Sequence, residues 1–241
     1  MLWFNKKTTL REEGLFEGFT DWHSHILPGV DDGIQTMEES LKVLNEFDKI
    51  GLRRVWLTPH IMEDFPNTTQ ELRRKFDELK ANWNGSLDIQ LASENMLDTL
   101  FEERLENNDF LPIGDERNQL LVETSYYTPP YNMEELLDKA RSKGYYLILA
   151  HPERYRYMED KDYERLKNKG ILFQMNLLSI TGAYGETAKK KAQYLLNKGY
   201  INFLGSDIHR LEPFLSNINI DLKKTNHLDA INKIASLASN D

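Results

Sequence analysis

The chain has 241 residues, 40% hydrophobic and 29% charged, which excludes a disordered or fibrous polymer and leaves room for one large domain or two small ones. Its 39 acidic and 30 basic residues give a formal charge of -9, which argues against a surface built to neutralise nucleic-acid backbone. With no cysteine, a disulfide framework, a thiolate zinc site and a cysteine nucleophile are all excluded, and a reducing, cytoplasmic setting is expected.

Residues 1–18 carry basic residues after apolar ones and no long apolar run, so they read as an extension packing on the body of the protein rather than as a signal peptide. No stretch reaches transmembrane length, so no integral membrane protein is expected. Short apolar, β-rich runs then alternate with amphipathic segments. They predict seven strands, at residues 19–22, 54–58, 88–92, 119–122, 146–150, 172–176 and 202–205. Helix starts are signalled by Thr36 with Glu39, Thr68 with Glu71 and Asn132 with Glu135, each an N-cap oxygen followed three residues later by a carboxylate. Helix stops are signalled by a cation and a glycine at Gly51, Gly144, Gly170 and Gly199. The longest connection, residues 95–118, is expected to hold a helix from Met96 to about Glu106. Without a composition break, linker or repeat, residues 1–241 read as a single domain.

Five of the six histidines follow these apolar runs. His23 and His25 follow the first, His60 the second, His151 the fifth and His209 the seventh, while Glu94 and Glu123 follow the third and fourth. Seven strands alternating with helices fit an open doubly wound sheet or a closed barrel. Metal-competent residues after nearly every strand favour the barrel, where strand ends converge on one rim. A His-x-His pair alone is a weak signal, and a lone histidine or acid after a strand is often only a loop or cap residue. Jointly the set points to one polynuclear metal centre of nitrogen and oxygen donors, suited to manganese, iron or zinc. His227, near a C-terminal helix start, falls outside the pattern.

Residues 19–214 resemble the polymerase and histidinol phosphatase superfamily, and within it the bacterial protein-tyrosine phosphatases of capsular and exopolysaccharide synthesis. The most specific stretches are His23-Ser-His-Ile-Leu-Pro-Gly-Val-Asp-Asp-Gly33 and His151-Pro-Glu-Arg-Tyr155. The resemblance implies an α/β fold, a distorted seven-stranded (β/α)7 TIM-like barrel, and three divalent ions, with Mn2+ the first expectation. His23, His25, Glu94 and Asp207 would hold the first ion. Glu94 would bridge to a second, bound also by Glu123 and His151, and Asp32, His60 and His209 would hold the third, with Asp31 the lesser alternative to Asp32.

The implied reaction is phosphomonoester hydrolysis by metal-activated water on a phosphotyrosine protein, expected to be a membrane-associated tyrosine kinase of polysaccharide assembly. Arg154 is the first candidate for a phosphate-binding catalytic group; its structural alternative is a salt bridge to Glu153. The resembled family commonly has a second phosphate-binding arginine a few residues beyond Asp-x-His, whereas here His209 is followed directly by Arg210 and then Leu-Glu-Pro-Phe214; Arg210 either replaces it from a different backbone position or simply lies on the surface. Tyr126, Tyr127, Tyr131, Tyr155 and Tyr157 are expected either to form an aromatic platform or simply to pack, and Asn176 to face the site. Histidinol-phosphate phosphatase and a catalytically silent metal-binding scaffold are the competing readings.

Overall fold

The computed structural model describes residues 7–116, 118–223 and 225–237. Eleven strands and eight α-helices alternate in order: β1 (Lys7–Thr8), β2 (Thr20–Ser24), α1 (Met37–Lys49), β3 (Arg54–Leu57), β4 (His60–Ile61), α2 (Thr69–Asn82), β5 (Asp88–Leu91), β6 (Glu94–Met96), α3 (Thr99–Asn107), β7 (Gln119–Glu123), α4 (Met133–Ser142), β8 (Tyr146–Ala150), α5 (Asp160–Asn168), β9 (Leu172–Asn176), α6 (Gly185–Lys198), β10 (Phe203–Gly205), α7 (Leu211–Ile218), β11 (Leu222–Lys223) and α8 (Asn226–Leu237).

The structure is mixed α/β with a curled parallel sheet. Six strands run in the order β10-β9-β8-β7-β6-β4, three in the order β2-β3-β5, and β1 pairs antiparallel with β11. The described residues hold four strands more than the expected seven: β1 and β11 form the small outer pair, and the second and third expected strands, β3 and β5, are each continued past a bend, at Thr58-Pro59 and Ala92-Ser93, by β4 and β6. The first halves pair with each other, β3 lying between β2 and β5, and so do the second halves, β6 lying between β4 and β7. Beyond β10, Asp207 N–H donates to the His23 carbonyl at 2.8 Å and His25 N–H to the Ile208 carbonyl at 3.0 Å, tying the far edge back to β2.

Side-chain alternation explains the two cores. In β7, Leu120 and Val122 join the large core beneath the helices, while Leu121 points to the inside of the curl; in β8, Leu147 and Leu149 face out and Ile148 and Ala150 in. The inner plug of Trp22, Trp56, Ala92, Ile113, Leu121, Ile148 and Ala150 fills the curl, with Trp22 stacked at 6.1 Å on Trp56. The larger core runs from Leu10 to Ala235 and buries Leu15 and Phe16, so the described part of the N-terminal extension packs on the body; residues 1–6 lie outside the described residues.

Thr36 and Thr68 accept from the N–H groups of Glu39 and Glu71, as expected of N-caps. Asn132 makes no such bond, and the working caps at Asp98 and Glu159 were not anticipated. The helix expected from Met96 begins at Thr99 because Met96 pairs with Glu123 in the sheet and Asp98 caps the turn that follows. All four stop glycines have positive φ.

Candidate metal centre

The inner face of the curl carries the site, one step above the apolar plug. Glu94 lies two residues beyond inward Ala92, Glu123 two beyond Leu121, and His60 four beyond Trp56, so the period of two turns each toward the interior. Gln174 and Asn176 continue the face of Leu172, and Asp207 that of Phe203.

Three ligand candidates need a change of face. The register of β2 against β3 shifts between Asp21 and Ser24, and beyond it His23 and His25, rather than the parity of Trp22, point inward. After Ala150, His151 takes a left-handed backbone, φ 35° and ψ 53°, which swings its ring into the site. Asp207 is also left-handed at φ 51°, and such strain in non-glycine residues persists where surrounding contacts fix it.

All nine residues expected as metal ligands meet here. His23, His25 and Asp207 present donor atoms within 4.8 Å of one another. Glu94 Oε2 stands 3.2 Å from His23 Nε2 and 3.4 Å from His25 Nε2. Glu94 shares a second group with His23 and His151 and a third with His60 and Glu123; the fourth comprises His25, Asp32, His60 and His209. Glu94 is thus common to two groups. His60 reaches both ways, its Nδ1 2.9 Å from Glu123 and its Nε2 3.6 Å from Asp32.

Outer contacts fix the imidazoles. His23 Nδ1 meets Gln174 Oε1 at 2.8 Å, His25 Nδ1 meets Asp31 Oδ2 at 2.8 Å, and His209 Nδ1 meets the Asp207 carbonyl at 3.0 Å. Each acceptor holds a proton on Nδ1 and leaves the Nε2 lone pair facing the centre. Asp31 also accepts from the N–H groups of Gly33 and His60, so it orients ligands, while Asp32 Oδ1 approaches His209 Nε2 at 3.4 Å. Gln174 carried no motif in the sequence; its parity with Leu172 was the available signal.

The donor set fits divalent cations. His23 Nε2 and His25 Nε2 face each other at 3.1 Å, an arrangement of two lone pairs that calls for a positive centre between or beside them. Glu94 Oε2, Glu123 Oε1 and His60 Nδ1 are buried in mutual contact without an aligned hydrogen bond. Burial and His25 oppose a charge on His60, yet Glu94 and Glu123 prevail and push it up to about 10. Burial likewise opposes ionisation of Glu94 and Asp207, and the surrounding imidazoles nonetheless hold both well below the carboxylate range. Nitrogen and carboxylate donors without sulfur suit manganese, iron or zinc.

Arg154 stands at the edge of this cluster. Its Nη1 donates to Asp207 Oδ2 at 2.7 Å, and its guanidinium lies between the rings of Tyr126, 4.4 Å away, and Tyr184, 4.5 Å away. The Glu153 alternative is not what forms: Glu153 is buried and accepts from Asn176 N–H and Ser179 Oγ. Asn176 faces the site as expected, donating to Asp207 Oδ2 at 2.6 Å. Arg210 is exposed and lines a cleft of about 430 Å³ that also contains Asp32 and His209.

The aromatic platform takes a different form from the expected one. Tyr155 is fully buried and its hydroxyl accepts from Thr124 N–H, Tyr157 bonds Thr124, and Tyr131 is fully exposed. Tyr126 and the unanticipated Tyr184 flank Arg154, lining with Tyr127 a cleft of about 720 Å³. His227 lies apart, against Asn197.

Residues 19–236 match the capsular polysaccharide synthesis family, CpsB/CapC. The chain belongs to that family. Among its relatives, the tyrosine-protein phosphatase CpsB of Streptococcus pneumoniae is 30% identical over 205 residues, covering 80% of this chain and 83% of that one. The tyrosine-protein phosphatase YwqE of Bacillus subtilis is 26% identical over 198 residues, covering 80% and 78%. A solved structure described as YwqE from Bacillus subtilis and CpsB from Streptococcus pneumoniae, metal-dependent tyrosine phosphatases, superposes with a TM-score of 0.79 over 92% of each chain at 23% identity, a likeness of fold.

Proposed function

We propose that this member of the CpsB/CapC family is a metal-dependent protein-tyrosine phosphatase, with phosphotyrosine proteins as substrates and a membrane-associated kinase of capsule assembly as the partner. The observation that carries the reading is Arg154, braced by two rings and an ion pair, at the rim of a buried cluster of imidazoles and carboxylates. Among the described residues no helix is long and apolar enough to cross a membrane, and we place the protein in the cytoplasm.

In this reading residues 1–241 form one domain, and β3 with β4, and β5 with β6, are bent strands of a seven-stranded barrel. The backbone bonds from Asp207 and Ile208 to β2 support that closure. His23, His25, Asp32, His60, Glu94, Glu123, His151, Asp207 and His209 would hold three divalent ions, Mn2+ first among the candidates. Bound there, such ions lower the pKa of water and neutralise phosphate charge.

The chain's own groups supply the rest. Asp31 and Gln174 keep the proton of His25 and His23 on Nδ1, so that Nε2 of each remains a donor. One edge of the Arg154 guanidinium is engaged by Asp207, and its remaining N–H groups suit phosphate oxygens. Arg210, across the cluster beside Asp32, is the second cationic contact we assign to the phosphate. Tyr126, Tyr127 and Tyr184 give the cleft aromatic walls, which favour an aryl ester over histidinol phosphate.

The test strips the purified protein of metal, reconstitutes it with manganese, iron or zinc, and assays phosphotyrosine peptides beside histidinol phosphate, with His151→Ala and Arg154→Ala as controls. Metal-dependent turnover of the peptides, lost in both variants, is expected. Chelator-insensitive turnover refutes the mechanism, preference for histidinol phosphate refutes the substrate, and metal binding without turnover supports the silent scaffold instead.

A further inference from the structure

Arg154 ends a single 3-10 turn, Pro152–Arg154, and Arg156 opens the turn that follows; Tyr155 between them, at φ -73° and ψ 115°, is buried with 0% exposure. Arg156 is exposed, forms no ion pair among the described residues, and lies with Arg154 along the cleft of about 720 Å³.

Arg156 is also held in place. Its N–H donates to the Tyr126 carbonyl at 2.8 Å, and its guanidinium packs 4.9 Å from the centre of the Tyr127 ring. Lys191 Nζ donates to the carbonyls of Tyr155, Arg156 and Met158 at 2.5, 3.5 and 2.8 Å, fixing the backbone beneath. A guanidinium already stacked and anchored loses little entropy when it meets a carboxylate.

The two flanks of the cluster differ in charge. Beside Arg156 the cleft has Arg154 and Lys191 against the buried Glu153 and the exposed Glu186. The opposite cleft sets Lys42 and Arg210 against Asp31, Asp32, Glu39 and Glu212, with Lys42 already paired to Glu212. In a protein of net charge -9, an unpaired, braced arginine next to the phosphate-binding one marks the flank that accepts negative charge.

Resting on the phosphatase reading, we infer that Arg156, stacked on Tyr127, is a specificity subsite for an acidic side chain one or two residues from the phosphotyrosine, so that substrates are acidic peptide segments lying along the Arg154–Arg156 cleft.

The experiment measures binding as well as turnover, using metal-loaded protein. Fluorescence anisotropy compares two peptides that carry a non-hydrolysable phosphonate analogue of phosphotyrosine, one with Glu and one with Lys at the positions two residues to either side. The Glu peptide is expected to bind about three- to fivefold tighter at low salt, the scale of a partly exposed ion pair. That preference should vanish in Arg156→Ala and reverse in Arg156→Glu. Tyr127→Leu, which leaves the charge but removes its brace, should narrow it. Equal binding of the two peptides by the native protein, or a Glu preference that survives in Arg156→Glu, overturns the subsite. The phosphorylated versions of both peptides, assayed in parallel with nitrophenyl phosphate, test the parent reading separately. A Glu preference in binding with no hydrolysis of any ester supports the subsite and overturns the phosphatase assignment; hydrolysis without discrimination does the reverse.

Discussion

Arg154→Lys keeps the positive charge and removes the planar fork. In the native arrangement the guanidinium presents one edge to Asp207 while rings at 4.4 and 4.5 Å cover its two faces, so its free N–H groups are aimed without a search among rotamers. A lysine ammonium reaches Asp207 but has neither a second edge nor flat faces. Two ring contacts at about 0.5–1 kcal/mol each and one charge-assisted hydrogen bond at about 1.5 kcal/mol give roughly 3 kcal/mol. That is about 150-fold in kcat/KM on a phosphotyrosine peptide. The assay is steady-state kinetics at fixed metal occupancy, with bound metal measured on the same samples because Asp207 is a proposed ligand. Tyr184→Leu should weaken the native enzyme about tenfold and add little in the Arg154→Lys background, whereas Tyr184→Phe should stay near native. A lysine variant within threefold of native, or a Tyr184→Leu loss of equal size in both backgrounds, refutes the idea that the rings act by orienting the arginine.

Gln174→Leu removes the acceptor for His23 Nδ1 and should lower metal affinity about 10- to 100-fold, measured by competition with a chelator; unchanged affinity would show that Gln174 does not orient His23. Loading metal to about 100 times its Kd should stabilise the fold by about 2.7 kcal/mol per site and raise the thermal midpoint by at least 5 °C or so, and a melt insensitive to chelator contradicts metal binding at the cluster. Gly205→Ala would bring a Cβ within 2.4 Å of His23 Cβ and 3.0 Å of its backbone nitrogen, so a loss of about 1–3 kcal/mol is expected in denaturant titration. Thr36→Ala, which removes the α1 cap, should cost about 1 kcal/mol and leave activity alone.

The legible part of the site follows a rule of parity. Trp56 to His60, Ala92 to Glu94 and Leu121 to Glu123 are even steps along extended chain, so inward apolar residues announce inward ligands in the sequence itself. His23 and His151 break the rule, one through a register shift and one through a left-handed residue, and neither device has a sequence signature as plain as glycine. Their types and neighbours found them where periodicity alone would have failed. The bends are hidden for a related reason: at Thr58-Pro59 the chain changes its pairing partner without a break in the sequence pattern that periodicity would register. Tyr184 was invisible because its relation to Arg154 joins two loops 30 residues apart, and Asn132 illustrates the converse, a capping signal whose backbone, at ψ 21°, does not present the side chain to the helix.

The bends in the second and third strands have a mechanical consequence. Because β3 and β4 belong to different sheets, as do β5 and β6, the seam between the sheets passes beside the metal-competent cluster. His23 and His25 come from the three-stranded side, His60, Glu94 and Glu123 from the six-stranded side, and three of the four donor groups draw on both. An ion seated in such a group would be a rivet across a joint in the frame. Seating ions in the proposed centre would then add a second set of ties across this joint, beside the backbone bonds from His23 and His25 to Asp207 and Ile208.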